Sequence, residues 1–433
     1  MTFDSYSTFP ALEQKYSGQS VPQTATEQPK KLDYNVAIVG GGIVGLTFAC
    51  ALKDSGLRVA VIEAKADSAA VNRGQAYHIN LMSSRIFEGI GAWEQMQSQV
   101  NPIQQIRLSD AEYPGVVQFL PEDLNAIVLG YVADHAVVLE ALRDFLQQCP
   151  NATYLCPAEV VQVDYQADQV KLELVQNGEN RCISTQLLVA ADGARSPIRQ
   201  QAGIRAEGWQ YWQSCVVAYI QPEKPHHNIA YERFWESGPF AILPLPNNLC
   251  RIVWTAPKAE AKAILALSDE EFLVQLKQRY GDQMGELSLV GQRHLFPVHL
   301  MHSRVYTMPR LALIGDAAHC CHPVGGQGVN LGIRDAAALA QVLQVAAQKG
   351  EDLGLLTVLR QYDRWRFLEN LMILGFTDVL DRLFSNSLFP LVVLRRAGLW
   401  VLQSVQPIKV FALKLMTGLL GRSPELAKPK QVK

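Results

Sequence analysis

Apolar positions along the chain follow two periods, and the switches between them mark out its organisation. Residues 36–39 (VAIV), 58–62 (RVAVI), 187–191 (LLVAA) and 311–314 (LALI) are short, almost uncharged runs, the pattern of strands buried on both faces of a parallel sheet. Residues 153–174 instead carry alternating runs, EVVQVDYQ and QVKLELVQ, which predict an antiparallel meander. Residues 208–255 add the strand-like runs SCVVAYI, FAILPL and CRIVWT and many aromatics, among them Trp209, Tyr211, Trp212, Tyr231, Phe234, Trp235, Phe240 and Trp254. An aromatic side chain in a sheet is most often core, but as a group these suggest the wall of an apolar pocket. Helical spacing appears over 46–54, over 79–91 where it ends on a glycine, over 136–146 behind Asp134 as a candidate N-cap, over 259–281, and from Ala336 to the C-terminus.

The first strand runs straight into Gly40-Gly41-Gly42-Ile43-Val44-Gly45. Gly40 suits a tight turn, Gly42 lets backbone approach a pyrophosphate, and Gly45 lets helix pack on strand. The helix that follows points its unpaired N–H groups and positive dipole end at the phosphates. The next strand delivers Glu63, whose carboxylate can accept from both ribose hydroxyls. A glycine turn alone is weak evidence, but one set between strand and helix, with the acid arriving on time, predicts an adenine dinucleotide site. Arg73 lies in the polar stretch after Glu63, either as a solvated charge or as a clamp on the phosphates.

Two later apolar strands also end in turns suited to ligands. The first reaches Asp192-Gly193, and the second Gly315-Asp316 and then His319-Cys320-Cys321-His322-Pro323-Val324-Gly325-Gly326-Gln327-Gly328-Val329-Asn330. Four consecutive residues cannot all turn toward one tetrahedral ion, so the His and Cys run is not read as a metal site. Gly325-Gly326-Gln327-Gly328 opening a helix is a second place for bare backbone N–H groups to meet a ligand.

Composition narrows the class. With 433 residues, 48% hydrophobic and 18% charged, the chain can bury a large core, and a net charge of −2 offers no general field for nucleic acid. The eight cysteines show no disulfide framework, which suits a reducing compartment, and no C-x-x-C marks a disulfide reductase. Residues 1–30 are polar, with no arginine and no apolar run, and are expected to be a flexible tail rather than a targeting peptide. Tyr362 to Asn370 (YDRWRFLEN) carries mixed charges on a helix face, expected in solvated or interdomain pairs. Residues 388–420 are strongly apolar, but Arg395, Arg396, Lys409 and Lys414 interrupt them too often for a spanning helix. Burial in the core and contact with a membrane surface both stay open there, with Lys409 and Lys414 long enough to snorkel and the surface slightly favoured.

Taken in order, GGGIVG with Glu63, LLVAADGARSPIR and LALIGDAAHCCHPVGGQGVNLGIRDAAAL resemble the group A FAD-dependent aromatic hydroxylases. The HPVGGQGVNLGIRD and GPFAILPLP runs resemble the ubiquinone-biosynthesis hydroxylases in particular, and the resemblance covers about residues 36–370. It implies an α/β chain, α+β overall. Residues 33–205 and 300–345 would form a glutathione-reductase-type FAD-binding Rossmann-like domain, 206–299 an antiparallel-sheet substrate domain, and 346–433 a C-terminal helical region, with 1–32 as the tail.

By the same resemblance, FAD binds without a covalent bond through Gly40, Gly42, Gly45, Glu63, Arg73, Asp192, Gly193, Gly315 and Asp316, and its ring lies against Pro323, Gly326, Gln327, Gly328, Val329 and Asn330. The residues after Arg73 depart from the family's usual run. Tyr231, Phe234, Phe240, Leu243 and Pro323 are expected around the substrate, and no residue is assigned as catalytic acid or base. The implied chemistry is reduction of FAD by NADH or NADPH, reaction with O2 to a flavin hydroperoxide, and hydroxylation of an apolar prenylated phenol. The expected location is the cytoplasm, with the inner face of a membrane and a quinone-biosynthesis complex as further options. A flavin-dependent reductase of prenyl chains and a non-catalytic flavoprotein subunit remain alternatives; a flavin halogenase is disfavoured by the missing W-x-W-x-I-P pattern.

Overall fold

The computed structural model describes residues 32–66, 74–111 and 115–428; the expected N-terminal tail through residue 31 lies outside them. The parallel sheet forms where the apolar runs predict it. Tyr34–Val39 sits between Val59–Ile62 and Glu179–Ala190, with Ile38 opposite Val61 on one side and Val189 on the other. The order continues outward through Leu311–Leu313 and Thr307–Met308 on one edge and Ala152–Leu155 on the other. Val36, Ala37, Ile38, Val59, Ala60 and Val61 have no exposed surface, as a sheet covered on both faces requires.

The first helix spans Ile43–Ala51, three residues earlier at each end than the sequence spacing suggests. It starts directly after Gly42 because Gly45 belongs to its first turn: a Cβ on Gly45 would stand 2.0 Å from the Gly40 carbonyl oxygen. Ala152–Leu155, expected to begin the antiparallel meander, pairs in parallel with Val59–Ile62; the antiparallel ladder is formed by Ala158–Tyr165, Val170–Gln176 and the start of Glu179–Ala190. Residues 79–80 finish a strand, Ala76–Asn80, and the helix runs Leu81–Ile90 to Gly91 in the left-handed region. Asp134 does stand at the start of a helix, His135–Gln147, but its side chain does not cap it. It accepts instead from the Tyr219 hydroxyl at 2.5 Å.

The second sheet is antiparallel over most of its width and orders His319–Cys320, Leu287–Ser303, Ala206–Pro222, Cys250–Pro257, Gly238–Pro244, Ile229–Trp235, Gln105–Asp110 and Val116–Phe119. Its last two strands come from before residue 206 and its first from after the strand Leu311–Leu313 of the parallel sheet, so the chain contributes to this sheet from three separate stretches. Lys258–Ala266 and Asp269–Tyr280 cover one face, where Phe240 and Trp254 pack with Phe272. The opposite face looks into a cavity roofed by the C-terminal helices Leu356–Phe384, Phe389–Ser404 and Gln406–Met416. Phe234 of the sheet stacks on Phe384 of that roof with ring centroids 4.0 Å apart, and Leu399 and Leu413 join the same core.

Lys409 and Arg395 are buried rather than on the roof's outer surface, contrary to the snorkelling expected for Lys409, whereas Lys414 is exposed. Lys409 pairs with Asp123 at 2.8 Å, and Arg395 with Asp110 at 2.8 Å, each largely buried. Both ion pairs tie the helices to the substrate sheet side of the molecule. Among the described residues no helix is long and apolar enough to cross a membrane.

Candidate functional site

A cavity of about 820 Å³ joins the carboxyl ends of the parallel strands to the open face of the second sheet. On the first side its wall includes Gly42, Ile43, Val44, Gly193, Asp316 and Gly325 to Val329. Two helix amino ends meet there, those of Ile43–Ala51 and Gly328–Gln348, and neither has a side-chain cap or an acid in its first turn. Their N–H groups and dipoles are left for an anionic or electron-rich ligand.

The glycines divide by role. Gly40 (φ +111) could not carry a side chain, since a Cβ would lie 2.3 Å from the Ala191 carbonyl oxygen. A Cβ at Gly42 or Gly193 would meet nothing within 4 Å, so the space in front of them is open to a ligand. Glu63 follows in place at the end of the second strand, its Oε2 accepting from the Gly41 N–H and its Oε1 from the Lys65 N–H, both at 2.8 Å. Each oxygen keeps a lone pair, and the two backbone bonds fix the carboxylate beside the turn. Asp192 accepts from the Ile198 N–H at 3.2 Å while its Oδ1 is buried without a partner, and burial raises its pKa. An orphaned acceptor, an open glycine cradle and two uncapped helix ends fit a dinucleotide.

Around the second turn the predicted residues separate. Pro323, Gly326, Gln327, Gly328 and Val329 line the cavity, and Asp316 is exposed toward it. Asn330, expected against the ring, lies behind the turn: its Nδ2 donates to the carbonyls of His78 (2.7 Å) and Gly326 (2.8 Å), and its Oδ1 accepts from the Asn80 N–H. It shapes the turn and does not line the cavity. Gln327 Nε2 donates to the Met416 carbonyl at 3.1 Å, which fastens the turn to the roof. Gly315 is placed by Asp335, whose Oδ2 accepts its N–H at 3.2 Å. Arg73 lies outside the described residues.

On the substrate side, Tyr231, Phe234, Leu243 and Pro323 line the cavity, but Phe240 does not. Phe240 pairs with Arg233 and Trp254 and points to the helix-covered face, one pleat out of phase with Pro239 and Ala241. Nor do the aromatics form one wall, since Trp209 and Trp212 are 44% and 49% exposed. The alternation identifies two faces in these strands without saying which one meets the cavity.

Sequence reasoning missed three groups. Arg251 is a charge at a cavity-facing position of CRIVWT; it donates to the Gly74 carbonyl, lies 4.4 Å from the Tyr219 ring centroid and keeps Nη1 without a partner. Arg366, in a stretch expected to form solvated or interdomain pairs, is buried with Asp335 (2.8 Å) and Asn370, and His319 completes that network at 2.6 Å from Asp335. Glu232 also lines the cavity. A charge interrupting an alternating strand was the available signal for Arg251 and Glu232; for Arg366 none was present. His322 stands 3.5 Å from Asp381, and no group of three or more potential metal ligands is assembled among the described residues.

A family model described as FAD binding domain matches residues 33–365. Uncharacterized protein slr1300 of Synechocystis sp. is 50% identical over 394 residues, covering 91% of this chain and 95% of its own length. Ubiquinone hydroxylase UbiL of Rhodospirillum rubrum is 36% identical over 394 residues, covering 90% and 91% respectively. Among solved structures, p-nitrophenol 4-monooxygenase PnpA from Pseudomonas putida DLL-E4 shares the fold, with a TM-score of 0.74 at 19% identity over 90% of this chain and 98% of that one. Because the match runs unbroken from the first strand into the long C-terminal helix, the chain belongs to the FAD-binding-domain family of group A aromatic hydroxylases, alongside the ubiquinone-biosynthesis hydroxylases.

Proposed function

We propose that the protein hydroxylates the aromatic ring of a prenylated phenol or similar apolar quinone precursor, using FAD, NAD(P)H and O2. The observation that carries this reading is the continuity of the cavity. Besides the flavin-side turns, the same cavity is lined by Leu243, Phe234, Leu399, Leu402, Ile408 and Ala412, so an apolar tail has an apolar wall to lie against. FAD, when bound, would supply the redox chemistry that links NAD(P)H, O2 and the substrate. The chain's own contribution is to hold the ring against the substrate, keep water out and stabilise negative charge at the amino end of Gly328–Gln348. The name of the Rhodospirillum rubrum relative supports a quinone-type substrate.

The same reading includes peripheral contact with the inner face of a membrane through the outer face of the roof. Phe389, Trp400 and Phe411 are 77%, 60% and 60% exposed there. For the chemistry, the test is stopped-flow reduction of the flavin by NAD(P)H, with and without prenylated phenols, followed by product analysis under labelled O2. Faster reduction with substrate and one labelled oxygen per product molecule are expected. Unlabelled products across the panel would count for the prenyl-chain reductase.

A further inference from the structure

Glu232 occupies a place where the pleat calls for an apolar side chain. It lies on Ile229–Trp235, opposite Leu108 on one neighbouring strand and Ala241 on the other. Ala241 pairs in turn with Val253, and Val253 with Val217. Leu108, Glu232, Ala241, Val253 and Val217 therefore make one row across five strands, and all five line the cavity. The adjacent cavity-facing residues on its own strand, Ala230 and Phe234, are apolar too.

Half-buried at the cavity wall, the carboxyl has no hydrogen bond and no ion pair with the described residues, and desolvation pushes it up to about 8. The other titratable groups lining the cavity are Tyr231, Arg251, Cys215 and His299 on the second sheet, Tyr77, His78, His135, Asp316, Cys320 and Cys321 on the flavin side, and Arg395 in the roof. Arg251 donates through Nη2 to the Gly74 carbonyl and lies against the Tyr219 ring with Nη1 unpartnered, and Arg395 is held by Asp110; neither is paired with Glu232. Buried polar groups are normally partnered. An acid left unpartnered in the floor of a substrate cavity points to a partner that arrives with the substrate.

We propose that Glu232 accepts a hydrogen bond from the ring hydroxyl of the phenolic substrate and acts as the general base that takes its proton. The proposal rests on the hydroxylase reading and adds to it the residue that activates the ring. As a C–O bond forms at a ring carbon ortho or para to the hydroxyl, with the oxygen atom drawn from O2, the phenol O–H bond breaks and its proton passes to Glu232. The electron pair released closes a C=O bond, leaving a cyclohexadienone that carries both H and OH on the attacked carbon. Loss of that hydrogen as a proton to water, with return of the Glu232 proton to the carbonyl oxygen, restores the aromatic ring with two hydroxyls. The two electrons that reduce the second oxygen atom of O2 to water come from NAD(P)H. A carboxyl near neutrality suits a proton that must leave and come back within one turnover.

The test uses full-length, FAD-loaded protein with a prenylated phenol and the corresponding O-methyl ether. In Glu232→Gln, which can still accept a hydrogen bond, FAD content and phenol affinity are expected within about threefold of wild type, while product per NAD(P)H falls about 100-fold. Oxygen is then released as hydrogen peroxide, and the wild-type rise of kcat/KM with pH through about 8 disappears, because the carboxylate is the active form. In Glu232→Leu, the roughly tenfold preference for phenol over ether is expected to vanish, with ether affinity unchanged. Glu232→Gln with wild-type yield and pH profile, or Glu232→Leu that still separates phenol from ether, would overturn the proposal. The binding comparison needs no turnover: lost discrimination in Glu232→Leu supports the contact even if the wild type gives no labelled product, the outcome that overturns the hydroxylase reading instead.

Discussion

Asp335 has no exposed surface, yet four groups converge on its carboxylate: the Gly315 N–H, His319, Arg366 and Asn370. Burial opposes its ionisation, but His319 and Arg366 outweigh burial and hold the carboxyl well below the usual carboxylate range. Its folded pKa thus lies below the unfolded value of about 3.9. The stabilisation is present above about pH 4 and is lost as pH falls through the folded value. Asp335→Asn removes the charge against which Arg366 and His319 are buried, and we expect a loss of about 3–5 kcal/mol in urea unfolding. FAD occupancy should fall with it, because Gly315 and Asp316 lose their anchor. An unchanged unfolding midpoint would show that the network contributes little. The motif around Asp335 was legible in the sequence, but its partner Arg366 was not, since a charged helix face looks the same whether it meets water or a buried acid.

At the scale of elements, the helices Phe389–Ser404 and Gln406–Met416 each carry apolar residues on a buried and on an exposed face. Leu399 and Leu413 turn inward and are 3% and 0% exposed, while Phe389, Leu394, Trp400 and Phe411 remain on the outside. Deleting residues 408–433 removes Leu413 and the Lys409–Asp123 pair, so it is expected to weaken folding as well as any surface contact. A cleaner variant replaces Phe389, Trp400 and Phe411 with serine. Its binding to anionic liposomes, measured by co-sedimentation, should drop at least about tenfold with FAD content and melting temperature retained. Equal sedimentation of variant and wild type would move the membrane contact elsewhere or remove it.

At the scale of the whole molecule, the site exists only because two sheets and a helical roof close on one cavity. A cofactor spanning that cavity stabilises all three, by about 4 kcal/mol when present at a thousandfold excess over its Kd. Removing FAD should therefore lower the melting temperature, and adding it back should restore it. Gly42→Asp separates the fold from the cofactor: its backbone is extended at φ −78, and a Cβ meets nothing within 4 Å, so the chain alone accepts the side chain. The carboxylate would, however, stand in the phosphate path. We expect a melting temperature like that of cofactor-free wild type and no rise on adding FAD; a full rise would remove this turn from the binding site.

What the sequence by itself determined is short-range. A strand, a tight turn and a helix must pack within a few ångströms, so the residues that permit it, Gly40 and Gly45, stand at fixed spacing and are visible without coordinates, as is Gly42, which keeps the space in front of the turn open. The doubly buried strands were equally plain, because continuous apolar runs have few other uses. Tertiary structure decided what depends on residues far apart in the chain. It joined Gln105–Asp110 to Ile229–Trp235, turned Phe234 toward the cavity and Phe240 away from it, and set Asn330 behind the turn. It also placed Glu232 in an apolar row whose other members come from four other strands. Alternation along a strand shows that two faces differ, but which face is covered by helices and which by substrate is settled only by what packs against the sheet.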